Sequence, residues 1–459
     1  MNVLKKMFGP MDMTEGTPWK KIALFAIPML IGNVAQQLYN TVDSIVVGRY
    51  VGDNALAAVG SASPVLNLLL VLFIGISVGA GIMVSQYFGA KQKEELSGTV
   101  GTCITLTAIA SVLIMIVGPL ATRPLLKLLN TPESIFEWCA SYLNILFVGV
   151  AGLAFYNILS GVLRGLGDSV SALAYLLVAT LLNIVLDVWF VASFHMGVAG
   201  VAIATAIAQG VSSVLCLWRL LHMKDVFVLR PRNLIPTGKH TLDTVRLGLP
   251  SGITQAIFSM AMIVVQSLTN SFGEMFIAAN VIVMRVDGFA MMPNFSFGSA
   301  MTTFAGQNVG GKRQDRVESG AIQGTLIAVI VSAVITAMIL IFGKYLMGIF
   351  TETAELVTLS MRLMRILAVG YIAMAVTQSL SGVMRGAGDT MTPMWISLLT
   401  TVGIRVPIAY GISWLTATEE LPHGNSDCIY ISLLVSWLMG AALTWILYRK
   451  GGWKKKALS

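Results

Sequence analysis

Along the chain, long apolar runs alternate with short polar stretches, and the lengths of those runs are the first structural signal. A helix that crosses a bilayer core needs about 20 predominantly apolar residues. Such runs fall at 21–47, 56–86, 98–120, 136–160, 169–193 and 197–221, and after a polar stretch at 245–270, 276–306, 320–347, 355–382, 391–416 and 428–448. The pattern predicts an all-α membrane protein with twelve transmembrane helices in two six-helix bundles. Several runs exceed one straight crossing, which implies tilt, kinks or extension beyond the hydrocarbon. Pro28 and Pro64 are candidate kink points. The expected order is an N-terminal segment (1–20), a first bundle (21–222), a linker (223–242) containing Pro231 and Pro236, a second bundle (243–448) and a basic tail (449–459).

Composition agrees with the runs. Of 459 residues 56% are hydrophobic and 11% charged, against roughly 25% charged in soluble domains. A net charge of +8 raises nucleic acid as a partner, but the charges form short clusters between apolar runs. No basic stripe interleaved with aromatic platforms is present, so nucleic acid is not expected. Counted by loop, 22 of the 30 Lys and Arg residues fall on one side, including Lys20, Lys21, Arg164, Arg219, Lys312 and Lys454. Six fall on the other side, and Arg285 and Arg405 lie within spans. The basic side is the cytoplasmic side, so both termini are expected in the cytoplasm of a multi-pass protein of the cell membrane. Residues 1–20 lack the apolar core of a cleaved signal peptide, leaving the first span as the expected targeting signal.

The halves repeat. LSGVLRGLGDS (159–169) and LSGVMRGAGDT (380–390) agree at eight of eleven positions, offset by 221. At that offset Gln86, Gly89 and Lys91 match Gln307, Gly310 and Lys312, while Pro28 and Pro250 differ by 222. Both copies of each motif lie on the same side, so the repeat is parallel, an arrangement that suits transporters whose halves rock against each other. In the RGxGD loops the glycines are read as turn formers, Arg164 and Arg385 as anchors at the cytoplasmic edge, and Asp168 and Asp389 as caps of the next helix.

Ionisable residues inside spans are costly and are candidate functional groups. Asn33, Gln36, Gln37, Asn40, Asp43 and Ser44 share one face of the first span, which lipid would reject. Asn183 and Asp187 share a face of the fifth. Desolvation penalises an isolated carboxylate, and a proton or a cation relieves the penalty. Capping of helix ends near the outer surface is the structural alternative for both acids. Asp287 of the eighth span and Arg405 of the eleventh are expected to form a buried ion pair, with Arg285 pointing away from Asp287. Gln255, Ser259, Gln266 and Asn270 form a polar row on the seventh span, either lining a cavity or joining helices.

Other chemistry finds little support. Gly306 to Lys312 satisfies GxxxxGK, but Arg313 stands where the phosphate loop needs Ser or Thr, and no strand pattern precedes it. His195, His222, His240 and His423 fall in loops or at span ends, so an intramembrane enzyme lacks its base or metal set. Cys103, Cys139, Cys216 and Cys428 show no metal-binding spacing and are expected as unpaired buried thiols.

Taken together, VDSIVVGRYVGDNALAAVG (42–60), VGAGIMVSQYFGAKQ (78–92), LSGVLRGLGD (159–168), NIVLDVWF (183–190), MMPNFSFGSAMTTFAGQNVGGK (291–312) and LSGVMRGAGD (380–389) resemble the multidrug and toxic compound extrusion (MATE) family over nearly the whole chain. The resemblance implies a V-shaped, pseudo-symmetric twelve-helix antiporter that expels cationic or amphipathic compounds in exchange for H⁺ or Na⁺, with no other cofactor. In one branch of the family the coupling group, by motif, is Asp43, Asn183, Asp187 and Thr205, which would also hold Na⁺, with Asn157 nearby. A second branch uses acids of the seventh and tenth spans. Here no Asp or Glu lies between Leu249 and Ser271 or between Leu356 and Met384. Gln37, Asn40, Asn157, Gln255 and Met291 are the expected substrate-cavity residues. The expected partners are small drugs or metabolites and the lipid bilayer, and the expected state is a monomer. A flippase for lipid-linked or saccharide substrates is the alternative, for which a more cationic cavity is expected.

Overall fold

The computed structural model describes residues 9–129 and 131–456. The side chains of residues 53, 56, 63, 64, 67–70 and 72 are not described, so the expected Pro64 kink lies outside the described residues. The regular elements among the described residues are helices. In the first half they are α1 (Pro18–Tyr50), α2 (Asp53–Gly89), α3 (Lys93–Leu128), α4 (Glu133–Val148), α5 (Val150–Gly165), α6 (Ser169–Val188) and α7 (Gly197–Leu221). In the second they are α8 (Gly238–Asn270), α9 (Glu274–Gly310), α10 (Gln314–Gly348), α11 (Ala354–Ala368), α12 (Gly370–Gly386), α13 (Met391–Leu398), α14 (Val406–Leu415) and α15 (Cys428–Lys450). A π-helical turn, Trp189–Ser193, extends α6, and another, Leu399–Arg405, joins α13 to α14.

Nine of the resulting segments are long and apolar enough to cross a membrane singly, and α4–α5 and α11–α12 qualify as pairs bent by 53° and 44°. Among the described residues these make up to eleven crossings, in the order of the apolar runs, and the 37-residue α2 falls on the remaining run. Large apolar side chains such as Leu120, Ile263, Ile322 and Ile341 are exposed along their helices, as lipid rather than water permits.

The repeat is written into the backbone. Lys91 and Lys312, 221 apart, both take the left-handed conformation at φ 57° and 55°, and Gly167 and Gly388 do so at 83° and 95°. The expected caps form in both copies: Asp168 Oδ1 accepts from the Ser171 amide at 3.0 Å, and Asp389 Oδ1 from the Thr392 amide at 3.3 Å. The two bends fall at Gly149 and at Val369, next to Gly370; a Cβ on Gly149 or Gly370 would come within 2.5 Å of Ala206 and of the Trp437 ring respectively.

The motif glycines do more than turn the chain. A Cβ on Gly161 would meet Ser77 Oγ at 2.3 Å, and one on Gly165 would meet the Gly81 carbonyl at 2.6 Å. In the second half Gly382 and Gly386 face the carbonyls of Gly298 and Thr302, each at 2.3 Å. In each half, two glycines four apart bring a pair of helices to backbone contact, as small residues do in bilayers. A third such crossing sets Gly75 and Gly79 of α2 against Gly248 and Gly252 of α8.

The chain divides into two compact units, one holding Pro28–Gly252 with the chain up to Asp12, the other Met13–Ile27 with the chain from Ile253 onward. The core of the first gathers Val47, Ala58, Leu126, Leu143 and Val201. That of the second gathers Phe276, Val283, Leu363, Tyr371 and Ile429. In the second unit Met13 is fully buried. Its amide donates to Gln307 Oε1 at 2.8 Å, and its carbonyl accepts from Asn308 Nδ2 at 3.1 Å and Arg316 Nη2 at 3.0 Å. The stretch that resembles a phosphate loop is thus the end of α9 and the turn after it, with Gln307 and Asn308 committed to Met13.

Two sequence expectations are corrected. Arg164 does not reach out to the membrane edge; it turns inward, donating to Ser160 Oγ at 3.2 Å and Ser77 Oγ at 3.5 Å, and Arg385 turns into a cavity of the second unit. Asp287 and Arg405 do not pair within 4.0 Å; Asp287 Oδ1 accepts from the Tyr371 hydroxyl at 3.0 Å instead. The hydroxyl bond satisfies the carboxylate oxygen, and equal depth along two helices did not bring the two heads together.

Candidate functional site

The acids of the first unit come from two helices far apart in the chain. Asp43 lies in the last two turns of α1, and Asp187 is the penultimate residue of α6, where the π-helical turn continues the helix instead of ending it. Neither acid caps a helix. Asn183, one turn before Asp187, is fully buried, as is Asp187 itself. With its nitrogen turned toward the acids, the Asn183 amide donates to Asp43 Oδ1 at 2.7 Å and to Asp187 Oδ2 at 3.2 Å. Its oxygen then lies 3.5 Å from Thr205 Oγ1 on α7, a hydroxyl that also accepts from Tyr39 at 3.2 Å.

The two carboxyl groups meet at the Asn183 nitrogen, which bonds one oxygen of each. Two full negative charges at such separation repel strongly in a poorly solvated site, and a proton or a cation would relieve that repulsion. Asp187 Oδ1 is sealed from solvent without a donor. Tyr39 escaped the sequence reading, although its position one turn before Asp43 was a legible signal.

The expected cavity residues separate. Asn40 is exposed and Gln37 half-buried on α1, and Asn157 Nδ2 donates to the Leu153 carbonyl of its own helix at 2.9 Å. Gln255 and Met291 line one cavity of about 370 Å³ inside the second unit. Gln266 lines it too, donating to Asn270 Oδ1 at 2.7 Å. Arg285 is exposed, away from that cavity. The four cysteines are free and buried.

Comparison with known proteins agrees with this architecture. The MatE family model matches residues 28–189 and 250–411, one block in each half of the repeat. The chain is 31% identical over 450 residues to the probable multidrug resistance protein YoeA of Bacillus subtilis, covering 96% of this chain and 95% of that protein. It is 23% identical to the probable multidrug resistance protein NorM of Thermotoga maritima, covering 96% and 94%. Among solved structures, the outward-facing conformation of a multidrug resistance MATE family transporter superimposes with a TM-score of 0.88 at 26% identity, covering 96% of this chain and 97% of that one. A transporter of the MOP superfamily from Pyrococcus furiosus does so at 0.87 and 25%, with the same coverage. With both halves matched and relatives aligned end to end, the chain belongs to the MatE, or multidrug and toxic compound extrusion, family of membrane transporters.

Proposed function

We propose that this protein exports cationic or amphipathic small molecules across the cell membrane in exchange for H⁺ or Na⁺. The observation that carries the reading is the Asn183 amide held between Asp43 and Asp187, with Asp187 Oδ1 left without a donor. The multidrug resistance names of its relatives support the substrate class.

In this reading a proton shared by the two carboxyls satisfies the orphan oxygen while the Asn183 nitrogen stays turned toward them. Na⁺ asks for oxygens instead, and rotating the Asn183 amide presents its oxygen beside Asp43 and Asp187, hard donors suited to a small cation, while its nitrogen turns to donate to Thr205 Oγ1. In either case loading removes the repulsion between the acids. An ion moves the protein between inward- and outward-facing states only by binding them with different affinities. The meeting of α1 with α6 at these acids supplies a group whose geometry depends on the ion. Both termini lie in the cytoplasm, as the Lys and Arg distribution implies, and one chain suffices as the transporting unit.

Transport of a cationic dye in proteoliposomes under separately imposed pH and Na⁺ gradients tests the proposal. Efflux should follow one gradient and vanish in Asp43→Asn at equal protein content. Wild-type exchange in that variant would remove the coupling assignment.

A further inference from the structure

The second unit holds a partly open cavity that the coupling reading does not use. Its walls are largely apolar, with Met262, Met291, Phe258 and Trp437 among them, and its volume of about 370 Å³ lies within the range of small-molecule sites. The charged residues that line it are Asp287, Arg385 and Arg405.

The demands of these three groups differ. Asp287 Oδ1 already accepts from Tyr371 at 3.0 Å. Arg405 Nε is sealed from solvent without an acceptor, and no acid lies within 4.0 Å of its guanidinium among the described residues. Arg405 is also the last residue of the π-helical turn Leu399–Arg405, whose Thr400 and Thr401 line the same space. Such turns frequently mark functional positions in helices.

The repeat explains Arg385. Its counterpart Arg164 is held by Ser160 and Ser77. The second half keeps Ser381 but has Gly298 where the first has Ser77, and Arg385 finds no hydrogen-bonding partner among the described residues. Two guanidinium groups therefore face the space against one carboxylate, and the unmet need is for an acceptor. A buried donor without a partner is costly, and a ligand carboxylate supplies what a planar guanidinium matches best.

We propose that the cavity within the second unit binds small amphipathic organic anions, a carboxylate on a flat apolar body, with Arg405 taking the carboxylate and the methionine and aromatic walls taking the body. This goes beyond export of cations and rests on a different unit. Binding here needs no ion gradient, so its failure and that of the exchange reading are told apart.

Equilibrium binding of radiolabelled 1-naphthylacetate to the purified full-length protein tests it, with 1-naphthylacetamide and 1-naphthylethylammonium as the matched neutral and cationic probes. The acetate should bind saturably and at least about tenfold tighter than either, the range of a charge-assisted hydrogen bond. Arg405→Met should remove that preference while leaving the amide's affinity unchanged, and Arg405→Lys should restore part of it. Equal or tighter binding of the ammonium probe overturns the proposal, as does undiminished acetate binding in folded Arg405→Met. Should that variant not fold, the wild-type ranking of the three probes decides alone.

Discussion

Replacing Asp187 by Asn challenges the proposed coupling pair at its more enclosed member. In the wild type this side chain is fully buried, receives the Asn183 amide at 3.2 Å, shares that amide with Asp43, and keeps Oδ1 without a donor. Asparagine has the same shape, so no cavity opens. The charge disappears, and the new amide can donate to Asp43. Relief of a buried unsatisfied acceptor is worth about 1–3 kcal/mol, so the variant should be more stable than the wild type by about that much while losing ion-driven exchange. The assay pairs denaturation of the purified protein in one detergent with dye efflux from proteoliposomes under an imposed pH or Na⁺ gradient. A variant that still exchanges at the wild-type rate refutes the assignment of Asp187 to coupling. One that is inactive but less stable refutes the energetic argument, because the carboxylate would then be a structural support rather than a strained, functional group.

The remaining predictions concern the scaffold. Gly382→Ala should destabilise by about 1–3 kcal/mol through overpacking, since its Cβ would lie 2.3 Å from the Gly298 carbonyl. Gly288→Ala, with nothing within 4 Å, should be neutral or slightly stabilising, and thermal unfolding of the two compares them directly. Arg219→Met strips the cation at 3.3 Å from the fully buried Asp168 carboxylate. It should cost about 1–3 kcal/mol, less than for a fully buried pair because the arginine side chain is 24% exposed; unchanged unfolding would show that the Ser171 bonds alone hold the cap. Arg316→Met removes donors to the carbonyls of Met13 and Gly16. Limited trypsinolysis should then cut faster at Lys20 or Lys21 while the second-unit core stays protected, and an unchanged rate would mean that Gln307 and Asn308 suffice to hold Met13.

The number, order and approximate bounds of the crossings could be read from the sequence. Bilayer thickness sets the length of each apolar run, and that length is a local property of the chain. The parallel repeat was legible too, since a duplicated chain keeps its turn glycines and capping acids at a fixed offset. So were Asp43 and Asp187 as individual candidates, because a carboxylate in an apolar run is conspicuous wherever it finally points. Which groups meet was decided only by the tertiary structure. Rotation of each helix about its axis is fixed by close crossings such as Gly382 on Gly298, and those depend on a partner remote in sequence. Such packing brings Asn183 between two acids, turns Arg164 and Arg385 inward, and keeps Asp287 and Arg405 apart beside a shared cavity. Hydropathy reports the depth of a side chain in the membrane; its neighbours at that depth follow from how the helices touch.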